Sequence, residues 1–228
     1  TAIAIGELTG KEFHVFNIQK SLSSIDSIKK LIDRDSSIYG ISIDAPLVVN
    51  NDSGQRVCEN ELSREYGSRK ASCHTTNKGL YPDASSIKLA NHLLEGGFNH
   101  LGDPLTEQWQ IECYPHPAII EIFGLSERLS YKKGKVLERI QGQVILADYI
   151  SRLNKSSILR LTFDSSVQEF LSRDNIEANV GRRRKEHEDA LDAIICAYIG
   201  ALYAISATSK IFGSVETGYI YVPQQECI

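Results

Sequence analysis

Methionine is absent from the 228 residues, where ordinary usage predicts about five. The absence points to a trimmed amino terminus or to methionines dropped from the sequence. Residues upstream of Thr1 are then missing, and some spacings are short by one. No two cysteines are spaced as CxxC: Cys58, Cys73, Cys113, Cys196 and Cys227 are odd in number and scattered. That argues against a structural zinc site or a disulfide framework and fits reduced thiols in a cytoplasmic protein. No signal peptide or membrane-length apolar run is present, because the most apolar stretch, 190–207, is broken by Asp192, Gly200 and Ser206, and no membrane partner is expected. Excess positive charge is also lacking. At a formal net charge of −4, contact with nucleic acid has to come from a local basic patch.

What remains is an ordinary globular composition, 42% hydrophobic and 24% charged, long enough for a single α/β domain over 1–228. Residues 1–8 and 12–17 read as a hairpin around Thr9-Gly10, and 21–34 carries the helical stripe Leu22, Ile25, Ile28, Leu31, Ile32. The apolar run Ile38-Tyr39-Gly40-Ile41-Ser42-Ile43 then reads as a strand ending at Asp44 and stopped by Pro46. Regular alternation lapses over 48–110, which reads as a helical and irregular insert with short helices at 57–66 and 87–94. A connection of that length is uncommon unless functional. A second core strand is expected at 111–114, the Tyr114-Pro115-His116-Pro117 segment as a turn, and helices at 118–123, 135–153, 165–173 and about 186–207. A late strand follows at 217–223.

Two features carry chemistry. Asp44 sits at the carboxyl end of a strand, where open α/β sheets place their ligands. Glu188, Asp189 and Asp192 open a long apolar helix, and residues three apart share a helical face. Acids in a first turn also complement the helix dipole, which accounts for Glu188. Asp192 is different: Leu191, Ile194 and Ile195 around it predict burial, and a buried carboxylate needs a partner such as a cation. Glu112, an acid inside an apolar strand, is either a fourth carboxylate of this group or a hydrogen-bonding anchor for the insert. Arg182, Arg183, Arg184 and Lys185 precede the acidic helix, placed either to meet a phosphate backbone or simply to solvate a loop. In the insert, Arg56 can clamp a phosphate, Glu59 accompanies it, and His74 can move protons; each can equally fasten the insert to the core.

The ordered set Ile43-Asp44-Ala45-Pro46-Leu47, Gly54 to Leu62, Ala71-Ser72-Cys73-His74, Glu112-Cys113-Tyr114-Pro115 and Asp189-Ala190-Leu191-Asp192-Ala193 resembles the DUF429 family, described as predicted nucleases of the RNase H-like fold. The closing Asp-x-x-Asp-Ala also resembles the last helix of RuvC-type Holliday junction resolvases. The resemblance implies a mixed five-stranded sheet flanked by helices, with the 48–110 insert after its fourth strand. Thr1 to Leu8 corresponds to the second strand of that fold, so the first strand, with its acid, is expected to lie outside the sequence. It further implies Asp44, Asp189 and Asp192 as metal ligands, with Glu112 as a further catalytic carboxylate. Arg56, Glu59, His74, Arg182, Arg183, Arg184 and Lys185 are expected to face substrate. The expected cofactor is Mg²⁺ or Mn²⁺, and the expected partner is DNA or RNA, cleaved by two-metal phosphodiester hydrolysis. Two alternatives stay open: a metal-dependent hydrolase of a nucleotide or phosphorylated small molecule, and a non-catalytic module that binds nucleic acid or a partner.

Overall fold

Alternating apolar residues at the amino end form a hairpin in the computed structural model, which describes residues 1–22 and 24–228. Strand β1 (Ile3–Thr9) turns through Gly10, at φ +59°, into its antiparallel partner β2 (Glu12–Gln19); a residue without Cβ takes that conformation freely. Helix α1 (Ile25–Asp33) begins at Ser24, whose hydroxyl accepts the Ser27 N–H and stops the helix from starting earlier. Its expected span of 21–34 is thus trimmed, and position 23 lies outside the described residues. Strand β3 (Gly40–Ile43) then delivers Asp44 at its carboxyl end.

Helices α2 (Val57–Tyr66) and α3 (Ser85–Glu95) and the short strand β4 (Asn99–His100) lie within the expected insert. They do not form one body. α2 packs through Leu62 and Tyr66 on Phe212 and Ile220, whereas β4 pairs with β5 (Trp109–Glu112) in the core. β5 runs parallel to β3 with Ile43 opposite Glu112, and starts two residues ahead of its expected position. Pro115 opens α4 (Pro115–Ile122) instead of a turn; a missing N–H costs nothing at a helix's first position.

Helix α5 (Val136–Arg152) falls where the periodicity places it. Strand β6 (Arg160–Phe163), unforeseen, adds to β2 in parallel. The expected helix at 165–173 divides into α6 (Ser165–Phe170) and α7 (Arg173–Ala178), because the Ser172 hydroxyl caps a new start. Helix α8 (Arg182–Ala204) begins four residues before its expected start, and strands β7 (Ser209–Ser214) and β8 (Gly218–Pro223) close the chain as an antiparallel pair.

A mixed α/β architecture is thus present, but a five-stranded sheet is not. Among the described residues the strands fall into β1-β2-β6, β3-β5-β4 and β7-β8. The division has a simple cause: β1 and β3 both lie on α8 with no strand between them to join their sheets. Helix α8 is the axis of the core. Leu191, Ile194, Ile195, Tyr198, Ile199 and Leu202 are fully buried around its circumference, each contributing on the order of 1.5–3 kcal/mol. No described helix is long and apolar enough to cross a membrane.

Candidate metal centre

The acids of α8 meet the end of β3. Glu188, Asp189 and Asp192 each offer a ligand atom within 4.8 Å of the others. Glu188, which dipole complementarity alone would place at the surface, is 4% exposed and belongs to this group. What would have found it is the i, i+4 relation to Asp192, which puts both on one stripe. Among the described residues this is the clustered acid set that can hold a cation, and an all-oxygen donor set suits a hard divalent ion.

Asp44 stands at the rim. Its side chain keeps 36% of its surface open, yet protein packs closely around the carboxyl. Loss of surrounding water pushes its pKa up to about 7, opposed by Lys132 and reinforced by Asp192 and Glu112. Its access to solvent limits that rise. Burial likewise raises Asp192, against the pull of Lys132 and Tyr131.

Lys132 is the residue that the sequence reading missed. Its ammonium lies 2.9 Å from Asp192 and 4.0 Å from Asp44, so the chain's own cation bridges the two acids. Burial disfavours the Lys132 charge, but Asp192 and Asp44 outweigh it and raise the pKa. The neighbouring Tyr131 hydroxyl donates to Asp192 at 2.7 Å. Both sit on the irregular loop 126–135, where no periodicity marks them. That loop is pressed on α5: a Cβ at Gly142 would stand 1.9 Å from the Ser130 carbonyl oxygen.

The expected basic run lies on α8's first turn and not before it. Four cations oppose the dipole there, and acids downstream offset them. Arg182 pairs with Glu186 at 2.9 Å, and Lys185 reaches Glu188 at 2.5 Å and Asp189 at 3.0 Å. Arg183 is exposed. Arg184 is buried and donates to the Asn179 carbonyl, so it is not placed to meet substrate.

Three other expected site residues lie elsewhere. Arg56, Glu59 and Glu112 are buried together: Arg56 donates to Glu112 at 2.6 and 2.9 Å and to Glu59 at 2.8 Å. Glu112 also accepts the Leu47 N–H at 2.9 Å, and Glu59 accepts the Thr76 N–H at 3.0 Å. Burial pushes the Glu112 pKa up while Arg56 pulls it down. The guanidinium grips both oxygens of that carboxylate, the geometry of a charge-assisted pair. This set ties residues 47, 48, 56 and 76 to β5, so the fastening role is the one the geometry supports, and Glu112 is not among the clustered acids. His74 is exposed, with its charge felt at the buried His116, whose pKa falls to about 3 through burial and through Lys132, Arg128, Lys133 and His74.

Chemically, the arrangement is a mixed α/β domain with a recessed carboxylate cluster and a cationic rim. The chain belongs to the DUF429 family of proteins of unknown function, whose family description matches residues 1–217. No curated protein and no solved structure matches it.

Proposed function

We propose that this protein is a Mg²⁺- or Mn²⁺-dependent phosphodiesterase that cleaves DNA or RNA, built on an RNase H-like sheet. The observation that carries the reading is the cluster of Glu188, Asp189 and Asp192 on α8, with Asp44 at the end of β3 joined to Asp192 through Lys132. Two features support the fold: the antiparallel β1–β2 hairpin and the parallel β3–β5 pair, both lying against the acid-bearing helix.

Divalent ions held by these carboxylates would supply Lewis acidity and a water of lowered pKa. The residues of the chain do the rest. Asp189, Asp192 and Glu188 offer oxygens on a rigid helix, which fixes their spacing. Asp44, with its raised pKa, can exchange a proton near neutrality. Arg182 and Arg183, exposed on the same first turn, face outward where a phosphate backbone can dock. Lys132 has to yield its place between Asp44 and Asp192 when an ion enters.

One observation favours a second reading. Lys132 already neutralises two of the acids, as a binding module that needs no metal would require.

The test is Mn²⁺-dependent cleavage of labelled single strands, duplexes, RNA–DNA hybrids and four-way junctions by the complete gene product. Asp44→Asn and Asp192→Asn run beside it. Cleavage lost in both variants while their melting temperatures hold or rise supports the nuclease. Absence of cleavage above the variants' background on every substrate rejects it, and a small-molecule phosphate substrate or the binding module then takes its place.

A further inference from the structure

The loop at 126–135 carries more positive charge than the acids beside it engage. Lys132 is taken up by Asp192 and Asp44. Arg128 and Lys133 have no ion pair among the described residues. The loop closes a recess over His116, walled by Arg128, Ser130, Tyr131, Lys132 and Lys133, and no acid lines it. In a chain of net charge −4, three cations on one small wall are a local reversal of sign that favours an anion.

The recess is small. It holds about 10 Å³, room for a single oxygen atom. A tetrahedral phosphate would place one oxygen inside and leave the others at the rim, where Arg128 is half-buried and Lys133 exposed.

His116 supplies the inner wall. It is 8% exposed, and its Nδ1 is buried without a hydrogen-bond partner; buried ring nitrogens are normally satisfied. Edge-on packing against Tyr114 and Tyr131, at centroid distances of 5.6 and 5.5 Å, fixes the ring. Burial, followed by Lys132, Arg128, Lys133 and His74, holds its pKa down to about 3. The neutral ring keeps one N–H to donate. His116 also lies in the first turn of α4, where the helix dipole favours negative charge.

The walls are fastened independently of any ligand. Arg69 donates to the Ser126 and Leu125 carbonyls at 3.3 and 2.6 Å, and the Arg128 N–H donates to the Arg69 carbonyl at 2.9 Å. Gln143 donates to the Tyr131 carbonyl at 3.4 Å. Little ordering is left to oppose binding. Tyr131 and Lys132 wall the recess and also contact Asp192, so an occupant lies beside the acid cluster.

We propose that this recess is a phosphate-group site, in which His116, Arg128 and Lys133 hold a phosphodiester of a nucleic-acid strand that continues past the acids. Nucleic acid as the ligand rests on the proposed function; the phosphate group rests on the recess itself.

Binding of labelled single-stranded and duplex DNA, measured in chelator across a salt series, tests the site without any cleavage. Arg128→Ala and Lys133→Ala should each weaken binding about tenfold and lower the slope of log K against log salt by about 1. Lys210→Ala, which removes the same charge outside the recess, should leave the slope unchanged. In histidine-ring NMR, the His116 signal should respond saturably to inorganic phosphate and to DNA, and Arg128→Ala should lose that response at an unchanged melting temperature. Variants that keep the parent's slope overturn the proposal, as does an equal fall in Lys210→Ala, which would mark net charge alone. A His116 ring that responds to inorganic phosphate but not to DNA overturns the nucleic-acid ligand. The two readings fail separately. Slopes that fall as stated in a protein that cleaves nothing remove the nuclease and support the site; cleavage with unchanged slopes removes the site and leaves the nuclease.

Discussion

Asp44→Asn in metal-free solution should stabilise the protein above neutral pH. The carboxyl has its pKa raised from 3.8 to about 7 in the folded chain, so folding binds its proton more tightly than the unfolded chain does. Both states are protonated well below 3.8 and the group then contributes nothing. As pH rises toward 7, the unfolded state gives up the proton first and stability falls; above 7 the loss is complete. A shift of about 3 units corresponds to a ceiling of about 4 kcal/mol. Because 36% of the side chain meets solvent, screening reduces that to about 1–2 kcal/mol. For a domain of this size the variant should melt about 3–6 °C higher at pH 8 and show no difference at pH 4. Thermal melts at pH 4, 6 and 8 in chelator measure this. A variant that melts lower than the parent at pH 8, or a difference that ignores pH, would refute the reasoning.

Arg56→Met should cost about 3–5 kcal/mol in urea unfolding, because it leaves Glu112 and Glu59 buried without their cation; a loss below about 1 kcal/mol would contradict the fastening role. Lys132→Met should tighten Mn²⁺ binding about tenfold in calorimetry, since the ion no longer displaces an ammonium; weaker binding would mean that Lys132 helps to build the site. Gly142→Ala should destabilise by about 2 kcal/mol or more through collision with the Ser130 carbonyl, and should also shift the Tyr131 fluorescence if the loop moves. Millimolar Mn²⁺ should raise the parent's melting temperature and leave that of Asp192→Asn unchanged.

Elements with strong local signals were legible. The 3.6-residue period located α5 almost to the residue, α2 lies at its expected 57–66, and Gly10 marked the hairpin. Strands β4 and β6 were not legible, since two to four residues of Asn-His or Arg-Leu-Thr-Phe carry no readable alternation and depend on partners far along the chain. Glu188 was ascribed to the helix dipole, whereas Asp189 and Asp192 on α8 were found from helical spacing. Their counter-ion was not, because Lys132 comes from an irregular loop whose placement rests on α5 packing and not on anything nearby in sequence. Arg56 and Glu112 lie 56 residues apart, so their union could only be guessed from the misplaced charge in β5.

The bridging ammonium has a further consequence, for the order in which this protein matures. Carboxylates gathered by folding alone repel one another, and chains that rely on an ion to relieve this stay unfolded until it arrives. Here the relief comes with the loop at 126–135, so under the proposed metal-dependent function the polypeptide would fold in the absence of metal and be loaded afterwards by exchange of one cation for another. If the proposed metal-dependent activity holds, chelation should abolish it at concentrations that leave the protein folded.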